Sequence, residues 1–105
     1  MIIINGIPWQ IAFVPAHDVM LMRSNGELSL GVCDGNLQTI FINETLSGDE
    51  LRDVLCHELV HAAMFSYGIP LSVEQEELIA GLITTYGEEI INITNKIFYK
   101  LKERY

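Results

Sequence analysis

His57-Glu58-Leu59-Val60-His61, set between Ser47-Gly48-Asp49-Glu50 upstream and Gly68-Ile69-Pro70 downstream, is the stretch that decides how this chain folds. At about 100° per residue, histidines four positions apart lie one turn above each other on a single helix face. Two imidazoles so placed can share one Zn²⁺, and Glu58, beside the first of them, can act as general base toward a water without itself ligating. A surface helix with incidental His and Glu could carry the same letters, but the flanks argue for the site. Ser47 and Glu50 form a capping-box pattern, and Asp49, Glu50 and Asp53 place negative charge at the positive end of the helix dipole. Leu51, Val54, Leu55, Leu59, Ala62 and Phe65 then recur near a 3.6-residue period. Gly68 as a left-handed terminator and Pro70 behind it stop the helix. The motif therefore lies in the middle of a helix of about twenty residues.

A catalytic zinc usually takes three protein ligands and keeps one position open. A third histidine six residues after His61 is absent, because Met64 and Tyr67 stand where that pattern needs Gly and His. His17 lies far upstream in a stretch that reads as loop. A carboxylate from a second helix is the better source. Ser72-Val73-Glu74-Gln75 repeats the capping-box pattern within four residues of Gly68, so a second helix runs back antiparallel to the first. Glu74, Glu76 and Glu77 are its acidic choices. Taken singly, each reads as a solvated first-turn acid. Glu76 is one turn from Ile79 and Ile83, whereas Glu77 is one turn from Ala80 and Gly81, a small-residue notch that would admit the metal and the first helix. Gly81 costs a helix interior about 1 kcal/mol relative to Ala, which suggests a close approach there. Glu77 leads as the third ligand and Glu76 is the alternative.

His57-Glu58-Leu59-Val60-His61-Ala62 followed by Glu76-Glu77-Leu78-Ile79-Ala80 resembles the gluzincin-type zincin metallopeptidases. It is most similar to the ImmA/IrrE-type proteins and to short zincin-like proteins of bacteriophage and mobile elements. In that family the motif histidines and a glutamate of the next helix, within a pattern like Glu-x-x-Ala-Asn, hold zinc. Carried over, the resemblance implies His57, His61 and Glu77 as ligands of one Zn²⁺ per chain and Glu58 as the catalytic glutamate. Gly81 stands where the pattern often has Asn, which keeps Glu76 open. The likeness spans roughly residues 40–91. It also implies that the strand before the zinc helix, Ile40-Phe41-Ile42-Asn43, lies at the cleft edge and receives an extended peptide as an added strand. Zincins add a Tyr or His to stabilise the oxyanion. Tyr86, His17 and Tyr67 are the candidates here.

Composition sets the frame. The chain has 105 residues, half of them hydrophobic, and a formal net charge of -8. That suits one domain, residues 1–105, with a single core. An acidic body argues against a nucleic-acid surface, since phosphate contacts need Lys and Arg. Lys96, Lys100, Lys102 and Arg104 gather most of the basic residues at the C-terminal end, where they complement a helix dipole. No apolar run reaches the ~18 residues of a membrane span. Met1-Ile2-Ile3-Ile4 lacks a basic flank and is soon interrupted by Pro8 and Pro15, unlike a signal peptide. Cys33 and Cys56 form no disulfide framework, which favours reduced thiols in a cytoplasm. Cys56 reads as a small packed hydrophobe.

The first 45 positions read as short strands and turns. Ile2 to Ile4, Trp9 to Val14 and Leu28 to Cys33 are strand candidates, and Asn25-Gly26 and Asp34-Gly35-Asn36 are turn signals. The second of these joins the third strand to Gln38–Asn43 as a hairpin, and Val19 to Arg23 is either strand or short helix. The second helix runs from Val73 to about Lys102 with a break or bend at Gly87, and Ile90, Ile91, Ile93, Ile97, Phe98 and Leu101 read as core. The expected fold is α+β: a minimal zincin-like domain with a small, mostly antiparallel sheet on an H-E-x-x-H helix and a long C-terminal helix. The expected function is a zinc metallopeptidase acting on a peptide or protein substrate, such as one encoded beside it. The competing expectation is an inactive zincin-fold binding module of a phage or mobile element with a structural metal, and a zinc hydrolase of non-peptide amides is a third.

Overall fold

The computed structural model describes residues 1–103; Arg104 of the basic tail lies outside them. β1 (Ile2–Ile4) and β2 (Ile7–Val14) pair antiparallel around Asn5-Gly6, both at positive φ (49° and 75°) as a two-residue hairpin turn requires. β3 (Gly31–Asp34) and β4 (Thr39–Asn43) form a second hairpin. Asp34 Oδ1 accepts from the backbone N–H of Asn36 and of Leu37, which sets its turn. β4 also pairs parallel with β2, giving the order β1-β2-β4-β3 and a mostly antiparallel sheet. Val19–Leu21 is a 3₁₀ turn capped by Asp18 and packed on β3 and β4, with Leu21 buried.

The sheet order corrects one expectation. Ile40-Phe41-Ile42-Asn43 is not at an edge: β4 is the inner strand between β2 and β3, and all four residues are buried. A strand covered on both faces needs apolar residues at successive positions, and Ile40-Phe41-Ile42 supplies them. The outer strand on this side is β3.

α1 (Gly48–Tyr67) packs on the sheet through Leu51, Val54, Leu59 and Ala62, against a core of Trp9, Ile40 and Ile42. Burying a large apolar side chain stabilises by about 1.5–3 kcal/mol, so these contacts fix the helix orientation. Ser66 adds polar anchors: its Oγ accepts from Trp9 Nε1 at 2.8 Å and its carbonyl accepts from Asn5 Nδ2 at 3.0 Å. Phe65 meets Trp9 edge-on with ring centroids 5.7 Å apart. The helix ends as its sequence requires. Gly68 is left-handed at φ 63°, its N–H reaches Phe65 O, and the N–H of Ile69 reaches Met64 O. Its start differs from expectation. Ser47 is the N-cap, but its side chain makes no capping bond, because Gly48 at φ 58° turns the backbone into the helix and only the Ser47 carbonyl is engaged, by Leu51 N–H.

The second capping box forms as expected: Ser72 Oγ accepts from Gln75 N–H, and Gln75 Oε1 accepts from Ser72 N–H. It opens α2 (Val73–Leu82), which continues through a π turn (Ile83–Gly87) into α3 (Glu88–Lys102). Gly87 does not break the helix; it closes the wide turn, which takes in one residue more than an α turn. Gly81 is no notch, since a Cβ there would meet nothing within 4 Å; the fully buried residue at this crossing is Ala80. The larger correction concerns α3. Every residue from Glu88 to Lys102 is exposed, so Ile90, Ile91, Ile93, Ile97, Phe98 and Leu101 are not core. The sheet and α1 are too short to reach them, and α3 extends a molecule 55 Å long and about half as wide. Among the described residues no helix is long and apolar enough to cross a membrane.

Candidate metal centre

α1 brings His57 and His61 to one face, as the four-residue spacing dictates, and α2 sets Glu76 and Glu77 against them. The helices run in opposite directions, so contacts descend along one as they ascend along the other. His61 meets Glu76 and Glu77, His57 meets Glu77, and Arg52 pairs with Glu88. Glu77 bridges the two imidazoles, with Oε2 2.9 Å from His57 Nε2 and Oε1 3.0 Å from His61 Nε2. One ligand atom from each of the three side chains lies within 4.8 Å of the others, so the group could hold a metal ion. Two imidazoles and one carboxylate are a known donor set for catalytic zinc, and the residues present fit it.

Glu76 has a different place from the one its spacing suggested. Its Oε1 is 2.6 Å from His61 Nδ1, behind the ring. A carboxylate there accepts a hydrogen bond from Nδ1–H, which fixes the tautomer and leaves the Nε2 lone pair free toward a metal. His17 is exposed in the turn after Pro15 and takes no part in this group.

Glu58 follows His57 by about 100° around α1 and is 7% exposed. Burial pushes its carboxyl above the ordinary carboxylate range and Glu77 adds to this, while His61, His57 and Arg23 pull the other way. Two clefts of about 560 and 530 Å³ flank it and share Arg23, Gly31 and Glu58 in their walls. The first runs past Val32 and Cys33 of β3 to His61, Glu76 and Glu77, and the second past Leu30 to His57, Gly81 and Thr84. Together they make a trough with the β3 segment on one side and the long helix on the other. A Cβ on Gly31 would come within 2.8 Å of Val54 Cγ1 and 3.0 Å of Glu58 Cγ, so the strand approaches α1 closely because this residue is glycine. Burial, reinforced by Glu58, Glu76 and Asp34, pushes the Cys33 thiol up to about 12, which leaves it a neutral part of the wall.

None of Tyr86, His17 and Tyr67 lines either cleft. The residue that does, and that spacing arguments overlooked, is Arg23. Its signal was available: it is the only Lys or Arg before position 52 in a strongly acidic chain. Thr84 is a second overlooked wall residue. Its Oγ1 is buried in the π turn with no hydrogen-bond partner among the described residues, and no sequence pattern marks it.

The geometry separates the two glutamates. Glu77→Ala removes one of the three candidate donors and should weaken zinc binding far more than Glu76→Ala. Loss of a residue that orients a ligand typically costs about 10–100-fold in affinity, and that is the expectation for Glu76→Ala. Competition against a chromophoric chelator measures both. A larger loss from Glu76→Ala than from Glu77→Ala would reverse the assignment.

A family model described as Peptidase M78, the IrrE N-terminal-like domain, matches residues 15–93 of the chain. No curated protein and no solved structure matches it.

Proposed function

This chain belongs to the IrrE N-terminal-like domain family of Peptidase M78, and from that premise we propose that it is a zinc-dependent metallopeptidase. The observation that carries the reading is the pairing of a His57-His61-Glu77 donor set with a buried glutamate, Glu58, at the junction of two clefts. A zinc ion held by His57, His61 and Glu77 would lower the pKa of a water to roughly 7 and polarise the scissile carbonyl. Glu58 takes the proton of the attacking water and returns it to the leaving amine, and its raised pKa brings it closer to the working range of such a base. Glu76 keeps His61 oriented. Arg23 supplies positive charge in the trough wall, in the place left open by the tyrosines and His17 that do not reach it, and steadies the developing oxyanion.

The substrate is an extended peptide or protein segment. β3 is the outer strand beside the metal group, so a peptide can add to it through backbone bonds, with little demand on sequence. A cytoplasmic setting, in which Cys33 and Cys56 stay thiols, accords with this reading. The test is hydrolysis of unfolded polypeptide by the zinc-loaded chain. Chelation should stop cleavage and added zinc should restore it. Hydrolysis that persists at full rate after the metal is stripped would refute a zinc mechanism.

A further inference from the structure

The exposed face of α3 calls for an occupant. At about 100° per residue, Ile90, Ile93, Ile97 and Leu101 fall within about 80° of one another around the helix axis. These residues are 58, 49, 55 and 49% exposed. A stripe of this kind is far more apolar than a solvated helix needs, and among the described residues only the start of α3 is tied to the rest, through the π turn and the Arg52–Glu88 pair. We propose that α3 is a dimerisation helix, and that its partner is the α3 of a second copy of this chain, packed antiparallel.

Charge placement selects both the partner and its direction. Glu89, Lys96 and Lys100 lie along one flank of the apolar stripe, within about 40° of one another. The other flank carries Thr94, Phe98 and Ile91, with one charge, Lys102, beyond them at the last turn. In an antiparallel pair related by a two-fold axis, like flanks face each other; in a parallel pair, unlike flanks do. Only the antiparallel arrangement sets Glu89 of one copy against the basic end of the other, and symmetry makes that contact twice. The register agrees with the charges. With the axis passing near Asn95, Glu89 lies level with the other copy's Lys100 to within one residue, Ile93 with Ile97, and Ile90 with Leu101 to within one residue. The apolar pairs and the two Glu89–Lys100 pairs thus come into register at one setting of the two helices, with the two Lys96 side chains facing water on either side of the axis. The overlap is the whole of α3, about 22 Å at 1.5 Å per residue.

The experiment is light scattering or sedimentation of the full chain across micromolar concentrations, with variants that do not touch the sheet, α1 or the metal group. Wild type should show twice the chain mass. Ile93→Asp should give the monomer mass with the circular dichroism otherwise kept, since this side chain packs on no core residue. Glu89→Lys should raise the dimer dissociation constant at least about tenfold, and Glu89→Lys/Lys100→Glu should recover most of that loss. A monomeric wild type at 100 µM or more would overturn the proposal, whether the face then bound vesicles or another protein. So would a dimer indifferent to Ile93→Asp. A dimer that Ile93→Asp breaks but that Glu89→Lys leaves unchanged would overturn the antiparallel arrangement.

Discussion

Zinc should copurify at one ion per chain, and the His57→Ala/His61→Ala variant should carry none. Two of three donors are then gone, and Glu77 alone is an exposed carboxylate of the kind that holds no ion. Stability should follow occupancy. A metal that binds the native state and not the unfolded chain stabilises by about 4 kcal/mol when its free concentration is a thousand times Kd. At about 4–8 °C per kcal/mol for a domain of this size, the wild-type Tm should rise by about 15–30 °C on zinc loading and the variant's should not. The apo proteins should melt close together, because His57 and His61 are partly exposed and their loss leaves the core of Trp9, Ile40, Ile42 and Ala62 intact. Metal analysis and calorimetry with and without zinc decide it. Stoichiometric zinc on the double variant would end the assignment.

The local framework of the candidate site is legible in the sequence because it rests on local physics. The four-residue spacing of His57 and His61, the stop at Gly68 and the box at Ser72 and Gln75 each act within about one turn of helix, and each is found as expected. Asn5-Gly6 was equally legible as a hairpin turn and went unread. What failed depended on partners distant in the chain. Strand order places β4 between β2 and β3, and nothing within residues 39–43 says which neighbour comes first; only their unbroken apolar run hinted at an inner strand. The apolar period of α3 is real, but a period shows that a face must be covered, not by what. In a chain of 105 residues that period points to the internal core, whereas the sheet is too small to supply the cover. Ser47 failed for a subtler reason: Gly48 reached a left-handed conformation that a capping-box pattern does not anticipate. The two glutamates separate only once α2 is placed, because the carboxylate that bridges the two imidazoles and the one behind the His61 ring differ by one position of helix phase.

Glu58→Gln should keep zinc and fold while losing about 10²–10⁴-fold in hydrolysis, the usual contribution of a general base. Glutamine matches glutamate in shape, so the packing around this 7%-exposed side chain is preserved, including the approach of Gly31. The amide cannot accept and return a proton at working pH. Nor does it carry a charge that burial must tolerate, so the variant should be at least as stable as wild type at neutral pH, where a buried carboxylate costs desolvation. Lower activity together with unchanged or higher stability is a pattern that a merely structural Glu58 would not give. The measurement uses both proteins, zinc-loaded, against unfolded polypeptides and against proteins encoded beside this one. Cleavage by wild type alone supports the peptidase. Equal cleavage by both would show that Glu58 is not the base. If neither cuts while both capture one partner through the trough, the fold serves as a binding module with a structural metal. The peptidase is favoured because a site that only holds metal has no use for a buried carboxylate beside it. A glutamine or leucine at position 58 would pack there without the desolvation cost.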